Sequence, residues 1–592
     1  MLKYLSCLLV ILLPFSMKSQ DSSKSVEGFV SELNSKIPSL LEDFNVPGTA
    51  VAIINDGEII LQKAYGYADV ENQIKADVTT GFNIGSISKT VAAWGIMKLV
   101  QEGEIELDAP AEKYLTRWHL PNSEFDSDKV TIRRLLSHTA GLSLHGYPGW
   151  SPEDTLPTIE ESLNGKNNGP GRVEIIHEPG SRYKYSGGGY SIMQLIIEEV
   201  TGRKFADYMQ SEILSPLGMT KSSYNISEEI MAASSMEYDN YGGLIDFELF
   251  TAQAAAGFHT TIQDFTQFVL ANLYNSKNFK KYNTVLSSET IHDMMQPVPQ
   301  AEGRFGYGLG YMTESLDRGA IKLAGHRGAN TGWHAIFNVN PKTNDGFIML
   351  TNGGLGQNVY HAVFYEWALW RMDLQLEDWY VAKPSVADAL KKRIDSHGIE
   401  QAASLYTDLI VKAPNKYNTD ENQLNTLGYH YMNEGNLDYA IKVFKINVDA
   451  FPDAYNTYDS YGEALLASGD TLAGVENYIK SIKLNPGNTN GISILNKLDV
   501  ETDDLFYNIS SDKLRLFEGQ YISPENPEWI MYFDLNNGVM TGTDNGYRFK
   551  ILPTGENKFV NADNGTTLVF QLNEDGPNTM ILGSQYEFKK LN

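Results

Sequence analysis

A chain of 592 residues is long enough for three or four domains with ample core. Its formal net charge of -27 argues against nucleic acid as a partner, because neutralising phosphates requires basic patches, and it also disfavours anionic membrane surfaces. A single cysteine, Cys7, excludes an intrachain disulfide framework.

From Met1 to Ser19, Lys3 precedes an apolar run from Tyr4 to Phe15, and the small residues Ser16 and Ser19 follow, the pattern of a signal peptide. A dozen apolar residues cannot span a bilayer as a helix, so no stable membrane span is expected after residues 1–20 are removed. The mature protein is expected to be secreted or periplasmic. Cys7 falls inside the run rather than after it, which argues against a lipoprotein; cleavage near Ser19 or Gln20 leaves no thiol for catalysis or metal binding. HExxH, GxSxG, GxxxxGK and GxGxxG are all missing, and no metal or organic cofactor is expected.

Ser86-Ile87-Ser88-Lys89 is the first segment that carries chemistry. Ser-x-x-Lys recurs at Ser181 to Lys184 and at Ser510 to Lys513, but at Ser86, which Gly85 precedes, an apolar helical pattern follows through Ile87, Val91, Ile96, Met97, Leu99 and Val100. A serine there begins a buried helix. Residues three apart share a helix face, so the lysine can reach the hydroxyl. A free serine is a poor nucleophile, and a lysine desolvated at a helix start loses its proton more easily. His138, flanked by Ser137 and Thr139, is expected to cap or brace the loop after a helix.

Tyr185-Ser186-Gly187 lies between Pro179-Gly180 and a new helix predicted from Tyr190 to Gly202. Gly187, Gly188 and Gly189 allow either close approach of backbone to a ligand or a turn requiring positive φ. His326-Arg327-Gly328 lies on a predicted strand entered by Ile321 to Ala324, and Trp333 to Asn338 follows a glycine-containing turn. In this order the three motifs suggest a serine hydrolase that works through an acyl-enzyme.

Beyond Asp373 the pattern changes. Gly428 recurs as Gly462 and Pro452 as Pro486, both at a spacing of 34, and Ala440 and Phe444 are matched by Gly474 and Tyr478. The period resembles tetratricopeptide repeats, pairs of antiparallel helices, although Asn447 stands where a small residue is usual. An earlier copy holds Ala402, Tyr406 and Pro414. So short a stack is expected to lean on a neighbouring domain, acting as a spacer or as a site for a protein or peptide partner. From about Asp504, runs such as Trp529 to Leu535, Tyr547 to Leu552, Thr567 to Leu572 and Thr579 to Leu582 alternate with Asn-Gly and Asp-Gly turns, which predicts a small antiparallel barrel or sandwich. This stretch, beginning at Leu514 to Tyr521, resembles lipocalin-like accessory domains. The expected divisions are 21–378, 379–503 and 504–592.

Seven further segments stand in a set order with the Ser86 motif: Leu107 to Pro110, Thr131 to Leu142, Glu178 to Tyr190, Ser215 to Met219, Phe305 to Tyr311, Gly325 to Trp333 and Phe347 to Asn352. Over Val26 to Leu374 they make the chain similar to the serine β-lactamase and penicillin-binding-protein superfamily, in the branch of class C β-lactamases, D,D-carboxypeptidases, D-aminopeptidases and related esterases. The resemblance implies an α/β catalytic domain, an antiparallel sheet flanked by helices with a helical lobe that houses Ser86 and Tyr185. It implies Ser86 as nucleophile, Lys89 as its proton-transfer partner and Tyr185 as second acid or base. A phenol ionises near pH 10, so Tyr185 acts near neutrality only if a cation such as Lys89 stabilises its anion or relays the proton.

By the same resemblance, the N–H groups of Ser86 and Ala329 form an oxyanion hole, and Gly187, His326, Arg327, Gly328 and Asn330 line the substrate site. Arg327 and Asn330 either bind a substrate carboxylate or face solvent. Two departures bear on substrate. Gly187 stands where many members place asparagine, and His326 where β-lactamases carry lysine. The expected activity is hydrolysis of an amide or ester bond in a small peptide, with peptidase, esterase and β-lactamase preferred in that order. A reading of another class is a ligand-sensing scaffold whose repeats recruit a partner.

Overall fold

A computed structural model describes residues 25–166, 171–301, 303–316, 319–372, 382–502, 505–536, 538–544, 546–573, 576–583 and 585–591. The signal-peptide segment and Cys7 lie outside them, as does the expected boundary at 378. The chain divides into two compact units, one ending at Ala382 and one beginning at Lys383.

In the first unit, α1 (Val26–Asp43) leads into β1 (Gly48–Asn55), β2 (Glu58–Asp69) and β3 (Ile74–Lys75). Then come α2 (Ser88–Glu102), α3 (Gly187–Thr201), strands β4 (Phe305–Tyr307), β5 (Met312–Leu316), β6 (Ile321–Ala329), β7 (His334–Asn340) and β8 (Asp345–Thr351), and α4 (Gly356–Met372). The sheet order is β3-β2-β1-β8-β7-β6-β5-β4, antiparallel throughout. Its central strands β1 and β8 are covered on both faces, which is why they read as near-continuous apolar runs rather than alternating ones.

One face packs on the helical lobe through Trp94, Tyr190, Phe268 and Phe337; the other packs on α1 and α4 through Phe29, Phe347, Phe364 and Trp367. Each such side chain contributes roughly 1.5–3 kcal/mol by leaving water. α2 is buried along nearly its whole length and stops at Gly103, whose φ of 82° is left-handed. α3 begins at Gly187, three residues before the predicted start, because Ser186 Oγ accepts the Gly189 N–H (3.1 Å) and caps the helix there.

The second unit opens with paired helices: Val386–His397 with Ala402–Lys412, Glu421–Asn433 with Leu437–Ala450, and Tyr455–Ala467 with Thr471–Leu484. Successive pairs repeat the same contacts. A Cβ on Gly428 would lie 2.4 Å from the Phe444 ring, and one on Gly462 would lie 3.0 Å from the Tyr478 ring. Asn447, the residue at odds with the repeat pattern, is fully buried and donates its amide to the Glu421 carbonyl (2.9 Å), the position from which Ser481 donates to Tyr455 (2.8 Å) in the next pair.

Eight antiparallel strands from Gly519–Ile522 to Tyr586–Lys590 then close a barrel, the barrel rather than the sandwich of the two expected forms. Phe517, Tyr521, Phe533, Phe559, Phe570 and Phe588 fill its interior. An apolar cluster joins Tyr478, Ile482 and Leu495 of the helices to Leu552 and Val560 of the barrel, so the stack does rest on its neighbour. Among the described residues no helix is long and apolar enough to cross a membrane.

Phe364 is fully buried and meets Phe347 (5.3 Å between ring centroids) and Trp367 (5.4 Å). Phe364→Ala is expected to destabilise the first unit by about 3–5 kcal/mol, read as a lower urea midpoint by tryptophan fluorescence. An unchanged midpoint would show that α4 is dispensable to the core.

Candidate active site

Ser86 sits in a single 3₁₀ turn, Gly85–Ile87, that runs straight into α2. Ser88 ties this turn down: its hydroxyl donates to the Gly85 carbonyl (2.6 Å) and accepts the Phe258 N–H (3.0 Å). One helical turn on, Lys89 is only 2% exposed. Its Nζ donates to the Ala255 carbonyl (2.7 Å) and to Ser86 Oγ (3.1 Å). Burial pulls the ammonium down to about 7, so an amine that could accept a proton from Ser86 is well populated at neutral pH. At the other two Ser-x-x-Lys matches, Ser181 Oγ donates to the Glu178 carbonyl and Lys513 pairs with Glu556 at the surface.

Tyr185 arrives from the far side of the lobe, immediately before the Ser186 cap of α3. The Ser86 side chain lies close enough to its hydroxyl to favour ionisation, but burial outweighs this and holds the phenol well above its ordinary range. Lys89 Nζ lies 5.0 Å from the centre of its ring. His138 supports this arrangement from below, as the sequence led us to expect. Its ring lies 4.1 Å from that of Tyr185, its Nδ1 accepts the Ser186 N–H (3.1 Å) and its carbonyl accepts the Lys184 N–H (2.7 Å). Its φ of 57° is unusual for a residue with a side chain. The hydroxyl, amine and phenol therefore meet in one place.

β6 completes the site. β5 pairs with it only as far as Gly325, whereas β7 follows it to Ala329, so Arg327, Gly328 and Ala329 keep an open edge. This edge meets the Ser86 turn at backbone distance. A Cβ on Gly328 would lie 1.8 Å from the Ile84 carbonyl oxygen, and one on Gly85, itself at φ 49°, would lie 2.6 Å from the Ala329 nitrogen. Only glycine permits this contact at both positions.

Of the residues expected at the substrate, Gly187, His326 and Gly328 are buried and Asn330 is half-buried, as is Arg327. The Arg327 side chain is 39% exposed, its guanidinium stands 4.0 Å from Glu314, and it lines a cavity of about 370 Å³ with Tyr183, Phe305 and Tyr307. His326 is 1% exposed: Nδ1 donates to the Arg327 carbonyl (2.6 Å) and Nε2 accepts from Tyr307 Oη (3.1 Å). Burial pulls it down to about 3, so it stays neutral. Asn330 gives its amide nitrogen to Asn83 Oδ1 (2.7 Å). Gly187 does not have positive φ; the backbone it approaches is the protein's own, since its N–H donates to the His145 carbonyl (3.0 Å) and a Cβ would lie 2.9 Å from that oxygen.

Sequence reasoning missed three participants. Ala255 supplies only a carbonyl, and Asn83 acts three residues before Ser86, so neither carries a pattern. His145 packs its ring at a tilt against Tyr185 (4.9 Å between centroids) from a loop whose Leu144 has φ 65°. The histidine was visible, but its loop position was not.

The folded chain holds Lys89 near 7 against an ordinary 10.5, so between those values the unfolded chain keeps a proton that the folded chain has shed, and stability rises with pH across that window. Lys89→Met is therefore expected to be more stable than wild type at about pH 6, with the advantage shrinking toward pH 10.5 in urea titrations. An advantage independent of pH would contradict the depressed amine.

The first unit has relatives among known proteins. Protein flp of Staphylococcus aureus strain MRSA252 is 26% identical over 324 residues, which cover 53% of this chain and 60% of flp. A Bacillus subtilis strain 168 chain, PbpX, provisionally named a penicillin-binding protein, is 29% identical over 283 residues, 46% of this chain and 66% of PbpX. The match thus spans less than two thirds of either relative's length. A solved octameric penicillin-binding protein homologue from Pyrococcus abyssi is 21% identical with a TM-score of 0.47, covering 95% of this chain and all of that one. The sequence profile of the family described as Beta-lactamase matches residues 33–364, which is more than half of the chain and includes every residue of the site. The chain belongs to the Beta-lactamase family of serine-hydrolase folds.

Proposed function

We propose that the protein is a serine hydrolase that forms an acyl-enzyme through Ser86 and cleaves an amide or ester bond in a small, D-amino-acid-containing peptide. The observation that carries this reading is the buried Lys89 amine, held between the Ala255 carbonyl and Ser86 Oγ and 5.0 Å from the centre of the Tyr185 ring.

In the proposed cycle Lys89, as free amine, takes the Ser86 proton while Oγ bonds to the substrate carbonyl carbon. The negative charge that develops on the carbonyl oxygen is held by the N–H groups of Ser86 and Ala329, each such donor contributing about 3 kcal/mol to the transition state. Tyr185, kept protonated by burial, gives its proton to the departing nitrogen or oxygen as the carbonyl–leaving-group bond breaks, and is reprotonated by Lys89. Of the two routes open to Tyr185 in the sequence, relay rather than a stabilised phenolate is the one this supports. Water then repeats the addition on the acyl carbonyl, and Ser86 leaves.

Peptidase activity is preferred over esterase and β-lactamase activity because a neutral His326 stands in the strand motif and Arg327 offers a cation for a substrate carboxylate at the open edge. Export directed by residues 1–20, and docking of a peptide or protein on tetratricopeptide-like helix pairs, belong to the same proposal.

Ser86→Ala is expected to abolish labelling by a fluorophosphonate and turnover across a panel of D-alanyl peptides, nitrophenyl esters and a chromogenic cephalosporin; labelling at full strength would refute the nucleophile. Arg327→Ala is expected to raise KM for D-alanyl peptides about tenfold while leaving kcat within about threefold, the pattern of lost uniform binding. Equal loss on uncharged esters would remove Arg327 from carboxylate recognition.

A further inference from the structure

Four side chains from three stretches of the chain hold the turn that follows β6, one for each of its residues. Asn330 Nδ2 donates to Asn83 Oδ1 (2.7 Å), Thr331 Oγ1 to Glu248 Oε1 (3.1 Å), the Gly332 N–H to Glu237 Oε1 (2.5 Å) and Trp333 Nε1 to Ser235 Oγ (3.0 Å). The turn is gripped at every residue, although it carries none of the groups that perform the chemistry.

Asn83 differs from the other three holders. The same Oδ1 that accepts from Asn330 also accepts the Gly85 N–H (2.7 Å). One buried oxygen therefore ties the residue before Ser86 to the residue after Ala329, the two residues whose N–H groups are assigned to the oxyanion. Its own amide nitrogen is held in turn, facing the Ala256 carbonyl (3.2 Å) and His259 Nε2 (3.2 Å). Burial keeps His259 neutral, so that nitrogen can accept. Asn83 itself is 1% exposed. Gly85 and Ala329 already pack so closely that a Cβ on Gly85 would lie 2.6 Å from the Ala329 nitrogen, which leaves little room for closer approach. Contact stops the two amides from moving together, and the asparagine bridge stops them from moving apart.

We infer that Asn83 and Asn330 form a strut that fixes the separation and direction of the Ser86 and Ala329 N–H groups, and that both are positioning residues rather than substrate ligands. The inference rests on the acyl-enzyme reading above. Donors preorganised for a developing oxyanion act in the transition state and not in the ground state, so a loosened strut lowers kcat and spares KM. A displacement of about 1 Å at such a centre can cost as much as about a hundredfold.

The test uses the full chain and two readouts: steady-state hydrolysis of nitrophenyl acetate, and affinity for a small boronic acid, which bonds to Ser86 Oγ and presents a tetrahedral oxygen to the two amides. Asn330→Ala, at a half-buried position, is expected to lower kcat at least about tenfold with KM within about threefold, and to weaken the boronic acid by about the same factor. Asn330→Asp, which replaces the donor by an acceptor facing Asn83 Oδ1, is expected to lose at least as much. Adding Asn330→Ala to Asn83→Ala is expected to cost less than about threefold more, because both remove one interaction.

A raised KM with kcat unchanged would overturn the inference and make Asn330 a substrate ligand. Full activity of Asn330→Asp, or independent multiplicative losses in the double variant, would overturn it as well. Turnover surviving in Ser86→Ala would instead bring down the acyl-enzyme reading, so the two failures are distinguishable.

Discussion

The arrangement depends on burying one amine without a countercharge. Lys89 has a carbonyl and a hydroxyl for partners and almost no contact with water. An ammonium in such a place pays heavily for lost hydration, and the free amine is the form that relieves the cost. Burial thus makes the base, and it requires a lobe rigid and thick enough to keep water out. Trp94, Tyr190 and the rest of the core around α2 and α3 provide that thickness.

A second constraint is the distance between two backbones. In the proposed cycle the Ser86 turn and a strand edge must come close enough for amides from each to face one oxygen, and a Cβ on Gly85 or Gly328 would leave no room for that approach. The glycines flanking the motifs have this origin. Gly328 accommodates the Ile84 carbonyl, and Gly85 accommodates Ala329 while taking a left-handed φ that begins the turn. His326, neutral and satisfied within the protein, fills the space beneath the strand beside Tyr307. These residues shape the site without touching the chemistry.

The second unit follows a different logic. Its helices are stacked by repeated local contacts, so a residue that looks anomalous in the pattern can do the same job by another bond, as Asn447 and Ser481 do. Its barrel has a core built largely of aromatic side chains.

Ser86 and Lys89 were legible in the sequence because their relation is local: two residues three positions apart along a helical turn are neighbours wherever that turn goes. The strand at His326, the period of the helix pairs and the turns of the barrel were legible for the same reason, since hydrophobic spacing and turn residues act over a few positions. The arrival of Tyr185 at Ser86, the engagement of His326 and Asn330 with the protein, the packing of His145 on Tyr185 and the two hydrogen bonds that Asn83 Oδ1 accepts from both arms of the site were decided only by tertiary structure. Each joins segments distant in the chain, and no local pattern records which polar atom a distant segment will satisfy.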